Sequence, residues 1–313
     1  MRILITGATG LIGRRITDLL HQKGYQLNFL TTRKKKIQKK ENFTGFYWNP
    51  DRMEIDPQCL QGVGAIINLS GENIFQVWSK AAKKRILNSR TRSLKLLRQA
   101  LQEHSHEVGH LISASGISVY PSSTHRIYYE TETEKDQTFM GRVVQEWERS
   151  ADELEQTDIK VAKVRTGIVL ANDGGALPQM RWPFRFGLGT TVGNGKQWQS
   201  WIHVEDLARI YIHIVENGLS GVYNAVAPNP VTNQDLMEQL ATAMEKKIWL
   251  PTVPPFMLRL VYGEKSEVVL ASQLVSSDKI QETGFKFRFV NIQQAFLDLW
   301  EEKERAKRKA PTE

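Results

Sequence analysis

The residues of this chain best suited to chemistry lie within its first 35 positions. Thr6-Gly7-Ala8-Thr9-Gly10-Leu11-Ile12-Gly13 follows an apolar run, RILIT, and opens a stretch of helical periodicity ending near Gly24. Glycines at 7, 10 and 13 let a backbone turn tightly, approach a pyrophosphate and pack a helix against a strand. The helix N-terminus then offers unpaired N–H groups to the anion. Strand, glycines and helix in that order predict a dinucleotide site, with Gly7, Thr9, Gly10, Leu11, Ile12 and Gly13 around the phosphates. At the end of the second predicted strand, an acidic residue would read the ribose hydroxyls of NAD. The chain reads Thr31-Thr32-Arg33 there, followed by three lysines. A guanidinium at 33 can grip a 2′-phosphate with two parallel N–H bonds. Thr32 and Arg33 therefore predict NADP(H), while the lysines after position 34 read as a solvated loop.

Arg90 is a second candidate. It falls between Leu87 and Leu94 on the apolar stripe of a predicted helix over 78–103. A charge on a core-facing stripe needs a partner. A cofactor phosphate or ribose, a protein carboxylate, and snorkelling to solvent all remain open for it.

The elements that must position these residues alternate. Predicted strands cover 2–6, 26–32, 45–48, 65–69, 110–115, 161–169 and 221–226, with helices over 11–23, 78–103, 138–156 and 205–217. Such alternation indicates βαβ units and a parallel sheet covered on both faces. The expected fold is α/β, a Rossmann-type doubly wound parallel sheet. After Val226 the pattern changes, with Pro-rich breaks on either side of a helix near 233–246. The expected organisation is a Rossmann domain over 1–227, with a loop insertion at 171–202. A small C-terminal substrate-side region over 228–300 and a charged tail over 301–313 follow.

Length and composition agree with this reading. At 313 residues, 41% apolar and 24% charged, the chain has ordinary globular composition. The single cysteine, Cys59, excludes an internal disulfide and a multi-cysteine metal site, and suits a reducing cytoplasm. No apolar run reaches the roughly 20 residues of a membrane span, and the strand beginning at Arg2 leaves no room for a signal peptide. The net charge of +8 is local: residues 33–40 and 73–102 hold fourteen positive charges, leaving −6 elsewhere. Such stretches can bind nucleic acid, but a small phosphate-bearing ligand accounts for the strongest positions. The expected partners are a small-molecule substrate and neither nucleic acid nor membrane, in a cytoplasmic monomer or homodimer.

TGATGLIG, the TTR at the second strand end, NLSGENI (68–74), SRT (89–91), SASGISVY (113–120), WE (147–148), RTGIVL (165–170), GLGTTVGNGKQWQSWIHVEDL (187–207) and NAVAPNPVTN (224–233) occur in order. Together they resemble the extended short-chain dehydrogenase/reductase family. Within it, they resemble an atypical, sugar-nucleotide-epimerase-like branch that ends in a small domain of unknown function. The resemblance spans roughly residues 1–300. It implies that Leu69 and Ser70 line the adenosine and ribose side of the cofactor and that Arg90 contacts it. It also places Thr166, Gly167 and Val169 along the nicotinamide end.

The reaction of that superfamily uses a tyrosine acid/base, a lysine four residues later, and a serine or threonine. None of the eight tyrosines has Lys at +4. The helix expected to carry the pair reads TFMGRVVQEWE, and Gly116 stands where the serine belongs, beside Ser115. Replacement candidates are Tyr120, Ser115 (with Ser118 as another hydroxyl) and Glu72. His203 and Asp206 in WIHVED read more readily as loop-ordering, and Trp147 and Glu148 as packing and capping. Trp198 and Trp201 suit either stacking on a flat ligand or covering the core, and Arg181 and Arg185 suit an anionic substrate. The expected function is an NADP-dependent oxidoreductase or epimerase-like enzyme on a small anionic or nucleotide-linked substrate. The alternative is an NADP(H)-binding sensor or scaffold without turnover.

Overall fold

The computed structural model describes residues 1–40 and 42–309. Residues 310–313 of the expected tail lie outside the described residues, and 301–309 continue the last helix. The chain divides into two interleaved units, one of residues 1–119, 135–165 and 208–223, the other of 120–134, 166–207 and 224–313.

The first unit is built on a sheet of β1 (Arg2–Thr6), β2 (Gln26–Thr31), β3 (Phe43–Asn49), β4 (Val63–Asn68), β5 (His110–Gly116), β6 (Lys160–Thr166) and β7 (Gly221–Ala225). In space these run 3-2-1-4-5-6-7, with Lys39–Lys40 added antiparallel at the β3 edge. β1 pairs in parallel with β2 and β4, as do β2 with β3 and β4 with β5. Chain order reverses between β1 and β4, the position where open α/β sheets bind ligands beyond their carboxyl ends. Ile3, Leu4 and Ile5 of β1 and Ala65, Ile66 and Ile67 of β4 are all buried. Such unbroken apolar runs mark strands covered on both faces.

Three helices of this unit position candidate residues. α1 (Leu11–Gln22) buries Gly13, Ile16, Thr17 and Leu20. α2 (Lys80–Glu103) is capped by Ser79, whose hydroxyl accepts from the Ala82 N–H. Its buried stripe passes through Ile86 rather than Leu87, then Arg90, Leu94, Leu97 and Leu101, so Arg90 sits inside the stripe. α3 (Phe139–Asp152) starts at Thr138, whose hydroxyl accepts from the Gly141 N–H. A Cβ at Gly141 would lie 2.3 Å from the Asp136 carbonyl oxygen, so this turn leaves no room for a larger residue.

The sequence from 161 to 169 is two strands rather than one, and the second of them belongs to the second unit. β6 ends at Thr166, and Ile168–Leu170 pairs in parallel with Trp201–His203. The break is at Gly167, whose N–H donates to the Ala225 carbonyl. A side chain there would meet the Ser200 carbonyl oxygen at 2.3 Å. The unit's core joins Leu170, Leu177, Phe184 and Trp201 to Leu236, Met237, Leu240, Phe296 and Leu299. Leu170 and Trp201 come from that strand pair and the others from α4 (Leu177–Arg185), α6 (Asn233–Ala243) and α10 (Ile292–Lys309). α5 (Val204–Glu216) starts in this unit and ends in the first, and α7 (Pro255–Tyr262), α8 (Ser266–Leu270) and α9 (Asp278–Glu282) lie between α6 and α10 in sequence. Among the described residues, no helix is long and apolar enough to cross a membrane.

Candidate cofactor cradle and buried polar network

The glycine loop is tight for identifiable reasons. Gly7 has φ +70°, and a Cβ there would lie 3.0 Å from the Leu69 carbonyl oxygen. Gly13 is closer still: a Cβ would lie 2.2 Å from the Gly7 oxygen and 2.7 Å from the Ala8 Cα. Gly10, the N-cap of α1, supplies no side-chain hydrogen bond, so the first-turn N–H groups have no side-chain cap. Leu69 is tied to β1 by its N–H, which donates to the Thr6 hydroxyl at 3.0 Å. That hydroxyl donates to Asn68 Oδ1 at 2.7 Å. Ser70 follows, half-buried, and then the exposed Gly71, where a Cβ would stand 3.1 Å from the Arg90 guanidinium.

Arg90 closes this cradle. It is 8% exposed, and its guanidinium lies 4.9 Å from the Trp147 ring centroid. Its NH1 donates to the carbonyls of Ile86 (2.8 Å) and Glu72 (3.3 Å), while its Nε has no hydrogen-bond partner among the described residues. Trp147 Nε1 and Asn68 Nδ2 are also buried donors without hydrogen-bond partners among the described residues. Burial lowers the Arg90 pKa to about 10, with Glu72 opposing the shift, so the group stays charged at neutral pH. A buried cation stacked on an indole and satisfied only by carbonyls is short of anionic partners. The loop, the bare helix start and Arg90 together suit a phosphate-bearing dinucleotide.

Arg33 lies at the end of β2, exposed, with its own N–H on the Thr31 hydroxyl at 3.2 Å. Its guanidinium makes no hydrogen bond or ion pair among the described residues.

The replacement catalytic candidates fall in different environments. Ser115, on β5, donates to Glu148 Oε1 at 2.6 Å. Glu148, on α3, takes two bonds of 2.8 Å from Arg165 Nε and NH2 on β6. Burial pushes the Glu148 carboxyl up, but the Arg165 bonds and charge, with the Ser115 hydroxyl, outweigh it and hold the group below its ordinary range. Sequence reasoning took Glu148 as a packing and capping residue and gave Arg165 no role. A signal was present: Lys163 and Arg165 alternate with Ala162 and Val164, which in a strand puts two cations on one face.

Glu72 is half-buried, and its carboxylate accepts from Arg85 Nε (3.3 Å) and Gln76 Nε2 (3.2 Å), while its carbonyl holds Arg90. Tyr120 belongs to the second unit, fully buried, with its hydroxyl donating to Asn224 Oδ1 at 2.7 Å. Its ring stacks on Tyr128, and its carbonyl is held by Gln273. Thr166, Gly167 and Val169 lie at the strand break described above.

Other polar groups order loops. Asp206 is fully buried and accepts from the N–H groups of Arg288 and Phe289. His203 accepts the Glu205 N–H on Nδ1 and lies over the Phe289 ring. Arg181 is turned onto the side chain and carbonyl of Asn172. Trp201 is core, whereas Trp198 is half-buried and donates to the Thr124 carbonyl.

A model of the NAD dependent epimerase/dehydratase family matches residues 3–225. The chain belongs to that family. Residues 253–299 match a second model, a domain of unknown function, DUF1731. This extended short-chain dehydrogenase/reductase is 32% identical to the epimerase family protein YfhF of Bacillus subtilis (strain 168), over 96% of this chain and 98% of that one. It is 34% identical to the chloroplastic epimerase family protein SDR39U1 homolog of Arabidopsis thaliana, over 94% of this chain and 85% of that one. The crystal structure of human epimerase family protein SDR39U1 (isoform 2) with NADPH superposes with a TM-score of 0.85. It is 29% identical and covers 96% of this chain and 99% of its own.

Proposed function

We propose that this epimerase-family protein is an NADP(H)-dependent oxidoreductase acting on a small anionic or nucleotide-linked substrate. Arg90 carries the reading: a buried guanidinium without a hydrogen-bonded carboxylate among the described residues lies against Gly71, two residues after the Leu69 carbonyl that packs on Gly7. The human relative crystallised with NADPH supports the same cofactor. Gly7 to Gly13 would hold the pyrophosphate, Thr32 and Arg33 the 2′-phosphate, and Leu69, Ser70 and Arg90 the adenosine and ribose side. Thr166, Gly167 and Val169 would pass the nicotinamide end. When bound, the cofactor supplies or accepts a hydride.

The chain's own residues replace the absent Tyr-Lys pair with a different device. Arg165 keeps Glu148 anionic, and Glu148 takes the Ser115 proton into a hydrogen bond. That leaves the Ser115 oxygen lone pairs to accept from a substrate hydroxyl. A carboxylate held below its ordinary range is a weak base, so Glu148 positions Ser115 rather than deprotonating it.

Fluorescence titration with NADPH and NADH tests the cofactor assignment. Losing a charge-assisted phosphate contact costs about 1.5–3 kcal/mol, roughly tenfold to a hundredfold in affinity. NADPH should bind tighter by that factor, and Arg33→Ala should remove most of the preference. Equal affinities in the unmutated protein would overturn the assignment.

A non-catalytic NADP(H)-binding sensor is the second reading. The burial of Tyr120 and the commitment of its hydroxyl to Asn224 favour it. Tight NADPH binding with no turnover across a broad panel of alcohols and carbonyls would select it.

A further inference from the structure

The Arg90 guanidinium is fixed at one corner and on one face. Its Nη1 is the corner, donating to the carbonyls of Ile86 and Glu72. The Glu72 peptide is itself tied to α2, because its N–H donates to the Ser89 hydroxyl at 2.8 Å. The face lies against the Trp147 ring of α3, 4.9 Å from the centroid to Cζ. Nε and Nη2 make no hydrogen bond among the described residues. The Glu72 carboxylate is bonded instead to Arg85 and Gln76. What stays open is the Nε–Nη2 edge, two parallel N–H donors with which a guanidinium grips two oxygens at once.

Trp147 is an unusual choice for filling space. It is 8% exposed, and its indole N–H has no hydrogen-bond partner among the described residues. A buried donor left unpaired is costly, so a position that needed only volume would favour Phe or Leu. What an indole offers beyond them is the strongest cation–π face of any side chain. α3 holds that face in register. Thr138 caps its start, and its buried stripe runs through Met140, Val143, Val144, Trp147 and Ala151. A guanidinium stacked on a locked ring has less rotamer freedom left to lose when it binds.

Given the role proposed above for Arg90 in holding the cofactor, we propose that Trp147 is a positioning residue of the same site. Its ring sets the guanidinium so that the Nε–Nη2 edge meets two oxygens of NADP(H), those of a phosphate or of a ribose diol. The effect of Trp147 on binding passes through Arg90.

Calorimetric titration of NADPH into the full chain tests the proposal as a double-mutant cycle. Arg90→Met should weaken binding roughly tenfold or more. Trp147→Met should weaken it about tenfold while Arg90 is present, and less than about twofold beside Arg90→Met. Trp147→Phe keeps a ring face and should stay within about threefold of the unmutated protein. Melting temperature without NADPH reads the packing cost of each substitution separately. An equal loss from Trp147→Met in both backgrounds would overturn the proposal, because the residue would then act through the fold. So would no loss at all. Trp147→Phe, the closer fit to the packing, decides alone where the methionine variant does not fold. A loss of about tenfold in it contradicts a role for the ring face, and a smaller loss seen only with Arg90 present supports one. In each of these cases a weakened Arg90→Met keeps Arg90 on the cofactor. Unchanged NADPH affinity in Arg90→Met would instead remove Arg90 from the cofactor site, and Trp147 with it.

Discussion

At the scale of single residues, Glu148 is where charge, burial and position meet. It is the carboxylate of a buried ion pair with Arg165, and truncating one side of such a pair strands the other. Glu148→Gln keeps the shape and the acceptor for Ser115 but leaves Arg165 without its carboxylate. The expected loss is about 3–5 kcal/mol of stability at neutral pH. The pH dependence has a definite sign. The folded carboxyl lies below its ordinary range, so its contribution is present above the unfolded value of about 4.3 and is lost as pH falls through the folded one. Denaturant melts of both proteins should therefore differ most near neutrality and converge on acidification. A gap that stayed constant down to low pH would show that the substitution acts through packing and not through the ion pair.

At the scale of elements, the cradle depends on α1 meeting β1 and β4 at backbone distance. Gly13 is the pivot, and Gly13→Ala must push apart Gly7 and Ala8, both backbone. The expected cost is about 1–3 kcal/mol or more, together with loss of NADPH-induced stabilisation. Thermal melts with and without NADPH would read both, and an unchanged ligand-induced shift would contradict the backbone geometry given for the loop. This junction was legible in the sequence, because glycines between an apolar strand and a periodic helix have few physical explanations. The break at Gly167 was not. It arises from the Ala225 and Ser200 carbonyls, which are distant in sequence, and VAKVRTGIV alone reads as one strand. The pairing of Glu148 with Arg165 escaped for a similar reason: the one reads as a capping residue and the other as a lone strand charge until helix and strand are placed side by side.

At the scale of the whole molecule, the periodic pattern gave the order of strands and helices well, but not how the chain is shared between units. A boundary near 227 follows from the Pro-rich change in pattern, yet residues 120–134 and 166–207 group with 224–313. Such grouping is set by burial between distant segments. Leu170, Leu177, Phe184 and Trp201 share one core with Leu236, Met237, Leu240, Phe296 and Leu299. Asp206 is satisfied by backbone N–H groups of Arg288 and Phe289. A chain ending at residue 227 would keep the first set of side chains and lose the surfaces that bury them. It would also leave the buried Asp206 carboxylate without those donors, a cost of several kcal/mol. The truncated protein is therefore expected to expose 166–207, bind a hydrophobic dye and be cut there by low trypsin or chymotrypsin. Mass spectrometry of a timed digest would locate the cuts. A 1–227 fragment that resisted cleavage in this segment and melted in one cooperative transition would mean that residues 166–207 find their core without the C-terminal helices.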